Sequence, residues 1–450
     1  MRGAAAGGGL GRRLALLGGG ALGLGGCSTI EGWVLPARPK LPGERDTVLE
    51  SGDSLLQADE GLEGEQVVLP APEPREDWPQ AGGGPSHLQG NPAAADQLGV
   101  AWTADLGRGS SSRQRLLAQP VVAGGTVYAM DAVSQVSAFE LATGRRRWRI
   151  DARPEDDHEG GLGGGLAVEG ETLVVVNGWA EVLGVAVADG AIRWRRRLPA
   201  PARGGPGVLD GRAFVGTVEG QLTATTLADG SGLWTWRGTG GGVGLLGIPA
   251  PAVDAAAVVA AFPTGELVAA RPDNGRVAWI ESLASTGGLA PISEFSSVRA
   301  APVIAGGRVI AISAGGPFVT LDLRSGRRVW ERDVAGTETP WVAGDWIFAL
   351  TTNQELAAFT RRDGRAKWVT ALDRWRDKEK KKGPIRWVGP MLAGGRLVVP
   401  NSEGEAKILS PQTGEVEASL RLPGAVALGP AVAAGTVLLV TDAATLVALR

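Results

Sequence analysis

The chain of 450 residues has one cysteine, Cys27, and two histidines, His87 and His158. A single cysteine excludes a disulfide framework within the chain and any cysteine cluster around a metal. Two histidines leave few groups for proton transfer at neutral pH. A basic surplus is missing too: 45 Lys and Arg stand against 48 Asp and Glu, a formal net charge of −3. That balance argues against a nucleic-acid binder. The 70 glycines follow no strict three-residue period, which excludes collagen. Neither a P-loop nor a nucleophile-elbow pattern is visible. Glycine runs such as Thr239-Gly240-Gly241-Gly242 lack the Lys-Ser/Thr of a phosphate cradle and read as loops.

What is present starts with an address. Arg2, Arg12 and Arg13 precede an apolar run from Leu14 to Leu24, too short for a permanent membrane helix. The run ends in Leu24-Gly25-Gly26-Cys27, the pattern of a bacterial lipobox, in which small residues admit the signal peptidase and the thiol takes the lipid. Arg12-Arg13 alone is a weak twin-arginine signal. Residues 1–26 are therefore expected to be a lipoprotein signal peptide and Cys27 the lipid attachment site. Several acyl chains on one residue anchor stably where a single chain does not. Residues 27–89, punctuated by Pro36, Pro39, Pro42, Pro70, Pro72, Pro74, Pro79 and Pro85, read as a stiffened tether. Within it Val67-Val68-Leu69 fits an edge strand or a loop.

From residue 90 the sequence repeats. A small or polar residue, Gly, three variable residues and Trp recur as Thr143-Gly144 to Trp148, Asp189-Gly190 to Trp194, and Asp229-Gly230 to Trp234. They recur again as Asn274-Gly275 to Trp279, Ser325-Gly326 to Trp330, and Asp363-Gly364 to Trp368. A seventh copy at Thr413-Gly414 has Ala418 in place of Trp, and an isolated Trp102 precedes the first. Spacings from 102 to 418 are 46, 46, 40, 45, 51, 38 and 50, the period of a β-propeller blade.

Gln119 to Asp131 reads as an apolar strand, a Gly-Gly turn and a second strand; Val136–Leu141 follows, and then the Trp strand. Four antiparallel strands make one blade, with the Trp packing between neighbouring blades. The last unit, Gly429 to Arg450, holds only three strands. Its fourth is expected from Leu98–Ala104, so that residues 90–450 close as an all-β, eight-bladed propeller without open sheet edges.

Other candidates are weaker. Glu155-Asp156-Asp157-His158-Glu159 could hold a divalent cation, but reads first as a solvated acidic loop. Arg145-Arg146-Arg147, Arg195-Arg196-Arg197 and Lys378 to Lys382 fit solvated strands or loops better than a contact surface for anionic lipid or an acidic partner.

The repeats resemble those of quinoprotein-type propellers, in which two families compete. The quinoprotein dehydrogenases share only the Gly-x-x-x-Trp turn, and their quinone site implies a vicinal disulfide that one cysteine cannot form. The other is the family of outer-membrane protein assembly factors called BamB, and here the resemblance runs from the lipobox to the C-terminus. It rests on Glu76-Asp77-Trp78-Pro79-Gln80, Leu321-Asp322-Leu323-Arg324-Ser325-Gly326 and Gly336-Thr337-Glu338-Thr339-Pro340-Trp341. It implies a non-catalytic periplasmic scaffold, lipid-anchored in the outer membrane and without cofactor or metal. Its implied partner is the central subunit of the β-barrel assembly machine, with nascent outer-membrane proteins as further candidates. A family Arg after the second Trp turn falls on Arg203, flanked by Pro201 and Ala202. In a second, acidic family loop the matching stretch is Ser297-Val298-Arg299, so the acids are replaced and Arg299 is the candidate there. Arg203, in a loop joining two blades, is expected to point outward from a propeller face. The alternatives are a propeller lipoprotein that binds peptidoglycan or another envelope component, and a quinoprotein dehydrogenase.

Overall fold

The β-branched and small apolar runs of each repeat form strands of two to six residues, linked by turns in which glycine takes positive φ. The computed structural model describes residues 56–155, 161–238, 247–283 and 298–450. There the strands build eight four-stranded sheets and one small hairpin, all antiparallel, and contain no helix. Blade 1 is Val121–Ala123, Thr126–Met130, Gln135–Glu140 and Arg146–Asp151, laid side by side in sequence order. The next six blades repeat it. The eighth takes Ala431–Ala433, Thr436–Val440 and Thr445–Leu449 from the C-terminal end and Val100–Asp105 as its outermost strand, with Trp102 opposite Ala448. The ring therefore closes through the N-terminal strand, as the missing fourth strand predicted.

The core lies between blades. Tyr128, Val136 and Ala138 of blade 1 pack with Leu166, Leu173 and Leu183 of blade 2, and each large apolar side chain so buried contributes about 1.5–3 kcal/mol. The recurring tryptophans lock these junctions from outside. The indole N–H of Trp148 donates to the Val187 carbonyl of the next blade at 3.1 Å, and Trp194 donates to Leu227 at 2.9 Å. Trp102, Trp234, Trp279, Trp330 and Trp368 bond Leu141, Pro272, Leu323, Arg361 and Pro411 in the same way. Each ring also covers the turn glycine of the following blade. A Cβ on Gly230, at φ +72°, would sit 2.5 Å from the Trp194 ring. Gly and Trp of the motif thus act on opposite sides of one blade and meet their counterparts across junctions. Ala418 fits this logic. The junction it faces leads to blade 8, whose two outermost strands are joined not by a turn but by the backbone bonds that Gly99 and Arg450 exchange.

The largest departure from the sequence reading is in the region expected to be a tether. Cys27 and the first part of that segment lie outside the described residues, as do Asp156, Asp157, His158 and Glu159 of the acidic loop. Residues 56 to 99, however, lie against the ring. Asp59 pairs with Arg332 at 2.7 Å and Glu65 with Arg362 at 2.9 Å. Val67-Val68-Leu69 forms no strand; Val67 is buried and Val68 exposed.

From Arg75 onward the chain runs round the inside of the ring as a belt. The innermost strand of every blade has a sheet partner on only one side. The belt meets the other side of six of them and the turns that follow the remaining two. Trp78 exchanges both backbone bonds with Val122 of blade 1, and the Pro79 carbonyl accepts from Val168 of blade 2. The side-chain amide of Gln80 both accepts from and donates to the backbone of Val208 in blade 3, at 2.9 and 3.1 Å. The Pro85 and Ser86 carbonyls take the N–H groups of Val253 and Ile304, and Gly90 donates to Val342. The Pro92 and Arg75 carbonyls accept from Gly394 and Ala434, in the turns that follow the inner strands of blades 7 and 8. Proline carbonyls accept without a competing N–H, so a Pro-rich sequence that looks like a spacer serves as a row of acceptors.

Candidate functional site

The belt runs along the end of the ring at which the inner strands leave. At the other end the loops that enter the inner strands surround a cavity of about 150 Å³. Its lining combines belt residues Trp78, Ala81, Gly82 and Gln89 with Gln119, Arg203, Arg299, Glu338 and Trp341 from the loops. Glycines make this approach to the axis possible. A Cβ on Gly204 would lie 1.7 Å from the Ile248 carbonyl oxygen of the next blade.

Two stretches far apart in sequence meet here. Trp78 stacks on Trp341, with centroids 5.9 Å apart and planes 20° apart, and the Trp341 indole donates to the Gly90 carbonyl at 2.8 Å. Arg75 lies over the Trp78 ring at 5.3 Å, and burial lowers its pKa. His87, fully buried, donates Nδ1–H to the Pro302 carbonyl at 2.8 Å, while its Nε2 has no partner among the described residues. Burial lowers its pKa to about 4, so the ring is neutral at physiological pH.

The proposed contact residues divide. Arg203 does not point outward from the rim as expected. It is half-buried in the cavity lining, and its Nε is buried without a hydrogen-bond partner among the described residues. The loop turns inward because Gly163 leaves room for it; a Cβ there would stand 2.8 Å from the Arg203 Cα. Ala202 is fully buried in the apolar cluster between blades 2 and 3, so its side chain is not available to a partner. Pro201 is half-exposed, and its carbonyl accepts from Val218. Arg299 lines the same cavity as Arg203, although no spacing in the sequence places the two together.

Glu338, in the stretch Gly336 to Trp341, shares the cavity lining with both arginines. It is half-buried in the cavity lining. That burial raises its pKa, opposed by the positive charge of Arg299, and its Oε2 accepts from the Gly389 N–H at 3.4 Å. The cavity thus gathers two guanidiniums and one carboxyl against a floor of stacked indoles.

The arginine runs are structural. Arg147 bonds Thr126 within its own blade, Arg195 pairs with Glu181 at 2.6 Å, and Arg196 reaches the Gly230 carbonyl of the next blade. Lys378 to Lys382 form the exposed end of the hairpin Trp375–Asp377/Lys382–Pro384, with Lys378 paired to Asp373. Among the described residues no group of His, Cys, Asp and Glu is arranged to hold a metal ion.

Comparison with known proteins agrees with the repeats. The family model described as outer membrane protein assembly factor BamB matches residues 134–370. A model of the glucose/ethanol/alcohol dehydrogenase β-propeller domain matches residues 86–168. The outer membrane protein assembly factor BamB of Yersinia pestis is 26% identical over 308 residues, which span 67% of this chain and 76% of that one. Among solved structures, BamB from Moraxella catarrhalis superposes with a TM-score of 0.65 at 17% identity, covering 79% of this chain and 100% of that one. The quinohemoprotein alcohol dehydrogenase of Comamonas testosteroni gives 0.64 at 14% identity, over 83% of this chain and 80% of that one. At such identities the superpositions report the shared propeller and not its chemistry. The family model, by contrast, spans more than half of the sequence, so this chain belongs to the family of the outer membrane protein assembly factor BamB.

Proposed function

We propose that the protein is a non-catalytic scaffold of outer-membrane β-barrel assembly, anchored at the periplasmic face of the outer membrane by lipid on Cys27. Its partner in this reading is the set of periplasmic domains of the central barrel subunit, with nascent outer-membrane proteins as secondary clients. Family membership supports the role. Arg203 carries the docking part of the reading. It is a guanidinium on a loop of the propeller's open face, half-buried and with an unbonded Nε, in the place where the family resemblance puts a binding Arg. Arginine is favoured at interfaces because its planar fork bonds carboxylates and carbonyls bidentately.

The test is the affinity of Arg203→Glu for the periplasmic domains of the barrel subunit, with a melting curve of the same variant. If the contact is a desolvated hot spot, binding weakens by about 2–4 kcal/mol. Unchanged affinity with a native melt would remove Arg203 from the interface. The dehydrogenase reading has a family match over residues 86–168 behind it. A chain with one cysteine nevertheless lacks the vicinal disulfide that the resemblance to those enzymes requires.

A further inference from the structure

The cavity has properties that a protein-docking rim does not need. Belt residues Trp78, Ala81, Gly82 and Gln89 form part of its wall. Its volume of about 150 Å³ is that of a cavity that takes a molecule of about the size of benzene, room for a small organic acid. Arg203 and Arg299 both line it, and the buried Arg203 Nε has no partner among the described residues. Glu338 lines it too, and its carboxyl feels the positive charges of Arg299 and Arg386. Two guanidiniums against one carboxyl leave an excess of one positive charge.

We propose that this axial cup binds a small carboxylate, held by Arg203 and Arg299. A monoanion completes the charge balance, and its two oxygens match the guanidinium fork. A phosphate dianion fits less well, because Glu338 would repel its second charge. Gln119 provides an amide group for a polar substituent on the ligand. The carboxylate is either a free acid or the side chain of an acidic residue inserted from a polypeptide; both present the same group to the cup. The proposal does not depend on which protein the propeller docks, and its test uses the isolated protein.

Calorimetry on the full chain distinguishes the sources. The probes are lactate for a free acid, N-acetylglutamate α-amide for an acidic side chain, and inorganic phosphate, all at matched ionic strength. At least one carboxylate should bind saturably with Kd on the order of 1 mM or tighter, and more tightly than phosphate. The tighter of the two carboxylates identifies the source. Arg203→Gln and Arg299→Gln should each weaken it about tenfold, with ligand-free melting temperatures close to that of the parent. Arg299→Lys, which keeps the charge but not the fork, should fall between. The proposal is overturned if neither carboxylate saturates, if phosphate binds more tightly than both, or if the glutamine variants bind like the parent.

Discussion

Replacing Trp78 by alanine asks whether the segment ahead of the propeller is a belt or a tether. Trp78 is 1% exposed, stacked on Trp341 and bonded through its backbone to Val122. Truncating a buried Trp to Ala costs about 3–5 kcal/mol, part transfer and part cavity. One feature reduces that figure. The Trp78 indole N–H is buried without a partner among the described residues, and deleting such a donor returns about 1 kcal/mol. The backbone bonds to Val122 survive the substitution. A net loss of about 3 kcal/mol is therefore expected, which for a chain of this size lowers Tm by only about 4 °C. Urea titration is the better assay, because the midpoint moves by about 3 kcal/mol divided by the m-value. Hydrogen exchange should show weakened protection at Val122, Val168, Val253, Ile304 and Val342, whose N–H groups face the belt. A change below about 0.5 kcal/mol, as for an ordinary surface site, with exchange at those amides unaltered, would refute the belt.

Three more outcomes are expected. His87 is neutral in the fold with a pKa of about 4 against 6.5 when unfolded, so its contribution is complete above about pH 6.5 and is lost as pH falls towards 4. Urea melts at pH 7 and pH 5 should differ by about 2 kcal/mol on this account, and His87→Gln should remove that part of the difference; an unchanged pH dependence in the variant would refute it. Deleting Leu98–Ala104 takes away most of the strand that pairs with Thr445–Leu449, together with the Trp102 bond to Leu141. Aggregation or loss of cooperative melting should follow, and a monomer with the parent's melting temperature would show that the ring does not need this strand. Cys27→Ala, finally, should leave the protein unlipidated and soluble in the periplasm; its retention in washed outer-membrane fractions would count against the lipobox reading.

The sequence by itself determined the blades. Alternating apolar residues, Gly-Gly turns and a Trp every 38 to 51 residues are local signals, since strand pairing within a blade joins neighbours in the chain. Even the ring closure was legible, because a unit of three strands at one end and a spare strand at the other leave a single way to complete the set. Neither the belt nor the cup could be read in this way. The contacts of the belt join Trp78 to Val122, Gln80 to Val208 and Gly90 to Val342, and prolines that signal an extended spacer look the same when their carbonyls are used as acceptors. Arg203, Arg299 and Glu338 come from different blades and have no shared pattern, so no spacing could link them. Their meeting follows from ring geometry. Closing eight blades turns the loop before each inner strand towards one axis, and a residue on such a loop faces the centre rather than the solvent outside.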